Sequence, residues 1–319
     1  MTAAAMVASG PRPASPSTCV VLGAAGQLGR ALCHTLAHEW RVVPVSRATC
    51  DLTDAPTLRR LLHDAEPTLI VNAAAYNAVD RAESDPEAAR AVNARLPAWL
   101  GTEARALGAR VVHYSTDFVF DGAGGAPYDE SAAPAPVNAY GRSKREGEER
   151  LLATGADALV IRTSWVLGAV GDNFARRILR LAMTRDQLAV VTDETSIPTA
   201  APDLAAATAA ILRRADVGSG AGRPLLHLAC GGAASRFAYA RHVLEAAEAA
   251  GLPLRVTAER VAPTTAAAFG APARRPIDSR LDSSLAARTF GLVLPEWRDA
   301  VAPVLAAICA AVLADRDTR

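Results

Sequence analysis

The sequence lacks paired cysteines, an excess of charge and a long hydrophobic run, and each absence excludes a class of protein. Its five cysteines are scattered and include no CxxC pair, so we expect reduced thiols. The formal net charge of +1 gives no reason to expect nucleic acid or an anionic membrane as a partner. No apolar run reaches the ~18 residues that a transmembrane helix needs.

The amino-terminal segment also lacks the features of a signal peptide. Residues 1–17 are rich in alanine, proline and serine, with no charged stretch followed by a long apolar core. Such a composition predicts a disordered tail. Together with the reduced cysteines, these observations predict a cytoplasmic protein.

Short apolar runs alternate with helical stretches through the first half of the chain. Near-continuous hydrophobic strands separated by helices are typical of a parallel sheet covered on both faces. We therefore predict an α/β fold: a Rossmann-type, doubly wound parallel sheet with a smaller carboxy-terminal α/β substrate lobe. The predicted dinucleotide-binding domain spans 18–165, with parts of 190–230 returning to it, and 166–319 forms mainly the substrate-binding lobe.

A glycine-rich loop, "GAAGQLG", follows the first strand and precedes the first helix. Gly23 would allow a tight turn, Gly26 a close approach of phosphate to the backbone, and Gly29 close packing of the helix on the sheet. The helix N-terminus would then offer N–H groups to a pyrophosphate. This context favours nucleotide binding; the alternative is a structural tight turn.

The end of the second strand bears on the choice of cofactor. NAD sites usually carry an acidic residue there, whereas this chain has Ser46 and Arg47, which suit a 2′-phosphate. The pattern favours NADPH and leaves NADH open, the alternative being that Arg47 is an exposed loop arginine. Asp51 could accept a hydrogen bond from the adenine amino group or simply precede a helix.

Small polar residues end the strand in "RVVHYSTDFVFDG", where ligands of parallel sheets bind. They are Ser115, Thr116 and Asp117. Tyr140 and Lys144 follow at an i, i+4 spacing, which puts them on one face of a helix. A lysine ammonium would lower the tyrosine pKa, and the phenol could then protonate a carbonyl oxygen held by Thr116. Alone, this spacing usually marks an exposed helix; after a dinucleotide loop it indicates catalysis.

Several motifs in order carry a resemblance from about Thr18 to Leu305. They include "GAAGQLG", "VNAAAYNAVDRAESDPEAARAVNA", "VVHYSTDFVFDG", "NAYGRSKREGE", "IRTSWVLG" and "APARRPIDSRLD". The chain resembles the dTDP-4-dehydrorhamnose reductase family of the extended short-chain dehydrogenase/reductase superfamily. The resemblance implies NADPH-dependent reduction of the C4 ketone of a dTDP-6-deoxy-4-ketohexose, giving dTDP-L-rhamnose.

The resemblance also implies roles for individual residues. The implied catalytic residues are Thr116, Tyr140 and Lys144. The implied or predicted cofactor-binding residues are Gly23, Gly26, Gln27, Leu28, Arg47, Asp51, Leu52, Ala73, Ala74, Tyr76, Ser115, Tyr140 and Lys144. The implied substrate-binding residues are Asp117, Phe118, Trp165 and Asn173 on the sugar side and Arg274 and Arg275 for the diphosphate. The alternative for the two arginines is surface charge in a loop.

Three departures from the family pattern concern the expected substrate side. Phe118 stands where tyrosine is usual, Leu167 where an aromatic residue is usual, and Ser196 with Ile197 replaces a small-residue turn. The cofactor side and the catalytic positions are intact. This contrast keeps open a related 4-ketosugar reductase or a dihydrostreptose-type synthase of natural-product sugar biosynthesis.

Two other functions and several properties stay open at this point. A non-catalytic NADP-binding regulatory subunit is an alternative, although such a module need not keep the catalytic trio. An epimerase or 4,6-dehydratase is another, but a dehydratase usually has Asp-Glu after the threonine, and here Phe118 follows Asp117. The sequence does not determine the exact sugar or the stereochemistry at C4. A requirement for Mg²⁺, for which no ligands can be identified, and a homodimer also stay open.

Overall fold

A six-stranded parallel sheet lies at the centre of the computed structural model, which describes residues 17–125, 127–214 and 224–317. The predicted tail lies outside the described residues, apart from Ser17. The strands are β1 (Thr18–Leu22), β2 (Arg41–Val45), β3 (Leu69–Asn72), β4 (Arg110–Thr116), β5 (Ala158–Thr163), β6 (Val166–Leu167), β7 (Ala189–Val191), β8 (Thr195–Ser196), β9 (Thr199–Ala200), β10 (Leu225–His227), β11 (Ala234–Ser235) and β12 (Ala262–Thr264).

The order of the central sheet is β10-β5-β4-β3-β1-β2, with every neighbouring pair parallel. Strands β1, β3 and β5 are buried at every position, as expected of continuous apolar runs covered on both faces. The predicted Rossmann-type parallel sheet is confirmed. Because all strands run the same way, the carboxyl ends of β1, β3 and β4 meet at one edge.

Helices cover both faces of this sheet. They are α1 (Gln27–Leu36), α2 (Ala55–Ala65), α3 (Val79–Ser84), α4 (Pro86–Arg90), α5 (Leu96–Leu107), α6 (Ala139–Ala153), α7 (Phe174–Thr184), α8 (Ala201–Leu212), α9 (Arg236–Ala249), α10 (Ala266–Phe269), α11 (Ser284–Phe290) and α12 (Trp297–Asp317). The sequence predicts one helix over 85–108, but the structure has α4, a π-helical turn over Ala91–Arg95, and α5. Pro97 lies in the first turn of α5, where its missing N–H is tolerated.

The second half of the chain is partly interleaved with the first. Strand β10 pairs with β5 and extends the sheet at its edge, while the remaining short strands form two-stranded pairs. Position 227 thus belongs to the central sheet although it follows α8 in sequence. The division into two functional lobes stays a prediction.

Helix α12 combines a length of several turns with a largely apolar composition. Over Trp297–Asp315 it is long and apolar enough to cross a membrane by length and composition alone. Its inner face nevertheless packs into the hydrophobic core, with Trp297, Val301 and Ile308 fully buried. That packing is typical of a core helix of a globular protein.

Candidate functional site

The loop between β1 and α1 has the geometry that the glycines predict. Gly23 has a φ of +77°, and a Cβ there would lie 2.7 Å from the Ala74 nitrogen. A Cβ on Gly29 would collide with the Gly23 carbonyl oxygen. Gly26 precedes α1 without a side-chain cap, so the first N–H groups of the helix are available to an anion. The loop therefore fits a pyrophosphate.

The next two loop residues use their side chains elsewhere. The Gln27 Oε1 atom accepts a hydrogen bond from the Gly168 N–H at 2.8 Å, which joins the loop to β6. Leu28 is buried in the hydrophobic core. Both residues therefore offer a cofactor mainly their backbone.

The residues after β2 line an exposed turn. Arg47 and Asp51 are exposed and Ser46 is half-buried, while Leu52 is partly buried against the core. The Asp51 Oδ1 atom accepts from the backbone and hydroxyl of Thr53, which lowers the pKa of Asp51. The cap of α2 is Asp54, whose side chain accepts from Thr57, so Asp51 does not cap that helix.

The loop after β3 is fixed by two asparagines that sequence reasoning missed. Asn72 Oδ1 accepts from the Ala74 N–H at 3.1 Å. Asn93 accepts from the Tyr76 N–H at 2.8 Å and donates to the Tyr76 carbonyl at 3.0 Å. The Tyr76 hydroxyl is buried and has no partner among the described residues. Ala73 completes this loop, and the unpartnered hydroxyl fits a ligand at this edge of the sheet.

Thr116, Tyr140 and Phe118 lie together at the end of β4, as the sequence predicts. Thr116 ends the strand next to Ser115, and its Oγ1 donates to Asp117 Oδ1 at 3.0 Å. The ring of Tyr140 stands edge-on to Phe118, with the centroids 5.8 Å apart. Burial raises the pKa of Tyr140 to about 12, although a hydrogen bond with Thr116 opposes the rise.

Lys144 is buried and directed toward β4. Its Nζ atom donates to the Tyr114 carbonyl at 2.6 Å and lies 3.4 Å from His113 Nε2. Burial lowers the pKa of Lys144 to about 8, against the opposing charge of Glu148. The expected lowering of the Tyr140 pKa by Lys144 is therefore not what the structure has, because burial of the phenol dominates.

Asp117 is buried and accepts three hydroxyl hydrogen bonds. Besides Thr116, its donors are Ser196 at 2.9 Å and Ser279 at 2.5 Å. Burial raises the pKa of Asp117, and the three hydroxyls lower it less. The carboxylate thus already accepts hydrogen bonds from groups of the protein, and its contact with Thr116 orients the Thr116 hydroxyl.

The indole of Trp165 is held by an arginine that the sequence did not single out. The Arg236 guanidinium lies 3.6 Å from the Trp165 ring centroid. The Arg236 Nε atom lies 3.7 Å from a carboxylate oxygen of Glu194. Trp165 has a φ of 37°, and its indole nitrogen is buried without a partner among the described residues. Asn173 caps α7 and donates to the Gly168 carbonyl, so its amide is already used.

The residues that depart from the family pattern differ in their surroundings. Leu167 and Ile197 are packed in the hydrophobic core, and their place on the substrate side stays a prediction. Phe118 contacts Tyr140, and Ser196 contacts Asp117. Phe118 and Ser196 are therefore the departures that contact the candidate reacting groups.

The two predicted diphosphate arginines differ in their contacts. Arg275 forms an ion pair with Asp80, in which its Nη2 atom lies 2.9 and 3.1 Å from the two carboxylate oxygens, and its Nη1 atom donates to the Ala273 carbonyl. Arg274 is exposed, and its carbonyl accepts from Asn138. Within the described ranges, no group of three or more His, Cys, Asp or Glu side chains could hold a metal ion.

Known proteins are similar to this chain over most of its length. Residues 17–309 match the family described as RmlD substrate binding domain. The chain is 41% identical over 285 residues to a dTDP-4-dehydrorhamnose reductase of Burkholderia thailandensis, covering 88% of this chain and 96% of the relative. It is 40% identical to one of Escherichia coli K12, covering 90% and 96%. A crystal structure of dTDP-4-dehydrorhamnose reductase from Bacillus anthracis in complex with NADP is 29% identical, with a TM-score of 0.81 and coverage of 91% and 99%.

Proposed function

The chain belongs to the RmlD substrate binding domain family, and from this premise we propose that it reduces dTDP-4-dehydrorhamnose to dTDP-L-rhamnose with NADPH. It is an NAD(P)H-dependent oxidoreductase of the dTDP-rhamnose pathway. The observation that carries the proposal is the group formed by Thr116, Tyr140 and Asp117 at the carboxyl end of β4, at the same edge of the sheet as the glycine loop.

The chemistry follows from the residues at that edge. Reduced NADP, when bound, supplies a hydride to the ketone carbon. We assign Tyr140 as the donor of the proton that the ketone oxygen takes up, because this partly buried phenol lies beside Thr116 and Phe118 at the end of β4. Thr116 would hold the same oxygen by turning its O–H, which donates to Asp117 in this structure, toward the ketone. A tyrosine pKa of about 12 keeps the phenol protonated at neutral pH, as a proton donor requires.

We assign NADPH rather than NADH as the preferred cofactor. Arg47 is exposed after β2, where the 2′ position of the adenine ribose is bound in dinucleotide folds. A guanidinium suits a phosphate by charge and by its fork of donors. The relative from Bacillus anthracis, solved with NADP, supports this assignment. The residues described give no support for Mg²⁺.

On the substrate side we keep Phe118, Trp165 and Arg274 as candidate contacts. Asp117, Asn173 and Arg275 have partners within the chain and would contact substrate only after exchanging them. A related dTDP-4-ketosugar is the second candidate substrate, because Phe118 and Ser196 depart from the family pattern next to the reacting groups. A cytoplasmic location and a homodimer remain predictions.

A coupled assay tests the proposal. The protein is incubated with dTDP-glucose, a 4,6-dehydratase, a 3,5-epimerase and NADPH, and the product sugar is identified. We expect dTDP-L-rhamnose, with little product when the epimerase is left out. Tyr140→Phe is the matched control: it keeps the ring, and turnover should fall by at least ~10²-fold with NADPH binding retained. No NADPH oxidation by the wild-type protein would contradict the reductase, and a different product would favour the second candidate.

A further inference from the structure

A buried polar chain lies beneath the candidate site. Asn72 Nδ2 is 3.1 Å from His113 Nδ1, and His113 Nε2 is 3.4 Å from Lys144 Nζ. Asn72 and His113 are fully buried, and Lys144 is 1% exposed. Each group therefore has to find its hydrogen-bond partners inside the protein.

The donors and acceptors of this chain can be assigned in order. The Ala74 N–H donates to Asn72 Oδ1 at 3.1 Å, so the amide nitrogen of Asn72 faces His113. An amide nitrogen only donates, and His113 Nδ1 must accept. A neutral imidazole then carries its proton on Nε2, and burial keeps His113 neutral by lowering its pKa well below 6.5. This Nε2–H points at Lys144.

His227 shows the opposite arrangement in the same protein. Its Nδ1 lies 3.0 Å from the Tyr128 carbonyl, which only accepts, so Nδ1 carries the proton. Its Nε2 lone pair then faces Arg162 Nη1 at 3.4 Å and accepts from that cation. Both histidines thus lie 3.4 Å from a basic side chain. His113 directs an N–H at Lys144, whereas His227 directs a lone pair at Arg162.

We propose that Asn72 and His113 are positioning residues for Lys144: the Asn72 amide holds His113 as the Nε2–H tautomer, and this N–H favours the neutral amine of Lys144. An N–H directed at an ammonium opposes its charge, whereas the same N–H can donate to an amine lone pair. Lys144 can then change between its two protonation states at little cost. The inference deepens the proposed reductase function, since it concerns a residue of the same site.

Other charged groups around Lys144 do not replace this effect. Glu148 lies one turn further along α6 and favours the ammonium, but Arg162 on β5 pairs with both Glu148 carboxylate oxygens. Tyr140 is the other titratable neighbour on α6. The helices packed on the outer side of α6 direct their charges to its exposed positions, in the pairs Glu83–Arg142 and Arg90–Glu146.

The tautomers can be read without any activity. Long-range ¹H–¹⁵N correlation spectra of labelled wild-type protein at pH 7 distinguish protonated from unprotonated ring nitrogens. We expect His113 protonated at Nε2 and His227 at Nδ1. Protonation of His113 at Nδ1, or on both nitrogens, would overturn the proposal while leaving the reductase function untouched.

Kinetics test the effect on Lys144. In Asn72→Asp, the carboxylate can accept from both Ala74 N–H and His113 Nδ1–H, so Nε2 becomes an acceptor for the ammonium. We take deprotonation of the Lys144 ammonium to set the basic limb of the kcat–pH profile, and we expect that limb to move up by about one pH unit or more. The shift should shrink when His113→Phe is already present, because the added charge alone then remains.

His227→Gln is the matched control, since it removes the other buried imidazole, and its basic limb should coincide with that of wild type. An unmoved limb in Asn72→Asp, or an equal shift in the His113→Phe background, would contradict the role of His113. If the wild-type protein shows no turnover at all, that result would contradict the proposed function rather than the role of His113.

Discussion

Asp117 and Arg275, both implied to face the substrate, already have partners within the chain. Asp117 accepts from Thr116, Ser196 and Ser279, and Arg275 pairs with Asp80 through its Nη2 atom. A buried group with its hydrogen bonds made gains little from a ligand and loses much if a partner is removed. At the residue scale, side chains with partners inside the protein therefore differ from side chains that are free to contact a ligand. The first kind positions the second kind.

Arg47 is a side chain that we expect to contact the cofactor directly. Arg47→Ala should weaken NADPH about 10- to 150-fold and NADH little, because only NADPH carries the 2′-phosphate that a charge-assisted bond would hold. Dissociation constants for both cofactors, from fluorescence titration, check this. Arg105→Ala is the matched control, since Arg105 is exposed at the end of α5, at the opposite edge of the sheet. Equal losses for both cofactors would show that Arg47 does not bind the phosphate.

Phe118 tests which sugar the site accepts. Its ring is buried and makes an edge-to-face contact with Tyr140, so a hydroxyl added to it would enter the surroundings of the candidate proton donor. With the rhamnose precursor as natural substrate, Phe118→Tyr should keep kcat/KM equal or slightly raise it, because the added hydroxyl finds a sugar oxygen. A buried hydroxyl without a partner costs about 1–3 kcal/mol. A fall of about 5-fold or more on this precursor would therefore favour a different sugar.

At the scale of elements, α6 carries both Tyr140 and Lys144, and a buried ion pair joins it to β5. Glu148 and Arg162 are each 1% exposed, and two hydrogen bonds of 2.9 and 2.7 Å connect them. Burial works to raise the pKa of Glu148, but Arg162, together with Ser115 and Arg145, outweighs burial, and the pKa is lowered. The pair thus fixes the catalytic helix against the strand next to β4.

Removing one partner of this pair should be costly. Arg162→Met leaves the Glu148 charge buried, and we expect a loss of about 3–5 kcal/mol in the free energy of unfolding. The double variant Glu148→Leu with Arg162→Met should lose clearly less. Arg90→Met, which breaks the more exposed pair with Glu146, is the matched control and should change stability far less. Urea unfolding measures all three, and an equal loss in the single and double variants would contradict this account.

The elements were largely predictable because their signals are local. Apolar runs predicted β1, β3, β4 and β5, and the strand-like "PLLHLA" predicted β10. The polar contacts of the site were not predictable in the same way. Ser279 lies 162 residues from Asp117, and Arg275 lies 195 residues from Asp80, so no local pattern connects them. The candidate catalytic residues Thr116, Tyr140 and Lys144 could be predicted because a helical spacing and a strand end are local features.

At the scale of the whole molecule, buried neutral histidines make stability depend on pH. Burial lowers the pKa of His227 from its ordinary value near 6.5 to about 4. Between these values the unfolded chain binds the proton and the folded chain does not, so the free energy of unfolding falls as the pH falls. His113 acts with the same sign. The contribution of His227 is nearly complete at pH 7 and is lost progressively below about pH 6.5.

The histidine contribution can be isolated by comparing slopes rather than absolute stabilities. Between pH 7 and pH 5, wild type should lose about 2 kcal/mol more than His227→Gln, because the variant has no imidazole to protonate on unfolding. His38→Gln removes an exposed imidazole and should follow wild type. Urea unfolding at both pH values, with unchanged m-values, gives the comparison. Equal losses of the free energy of unfolding in wild type and His227→Gln would contradict this account. They would mean that His227 is already protonated in the folded protein, or that carboxylates alone make stability fall between pH 7 and pH 5.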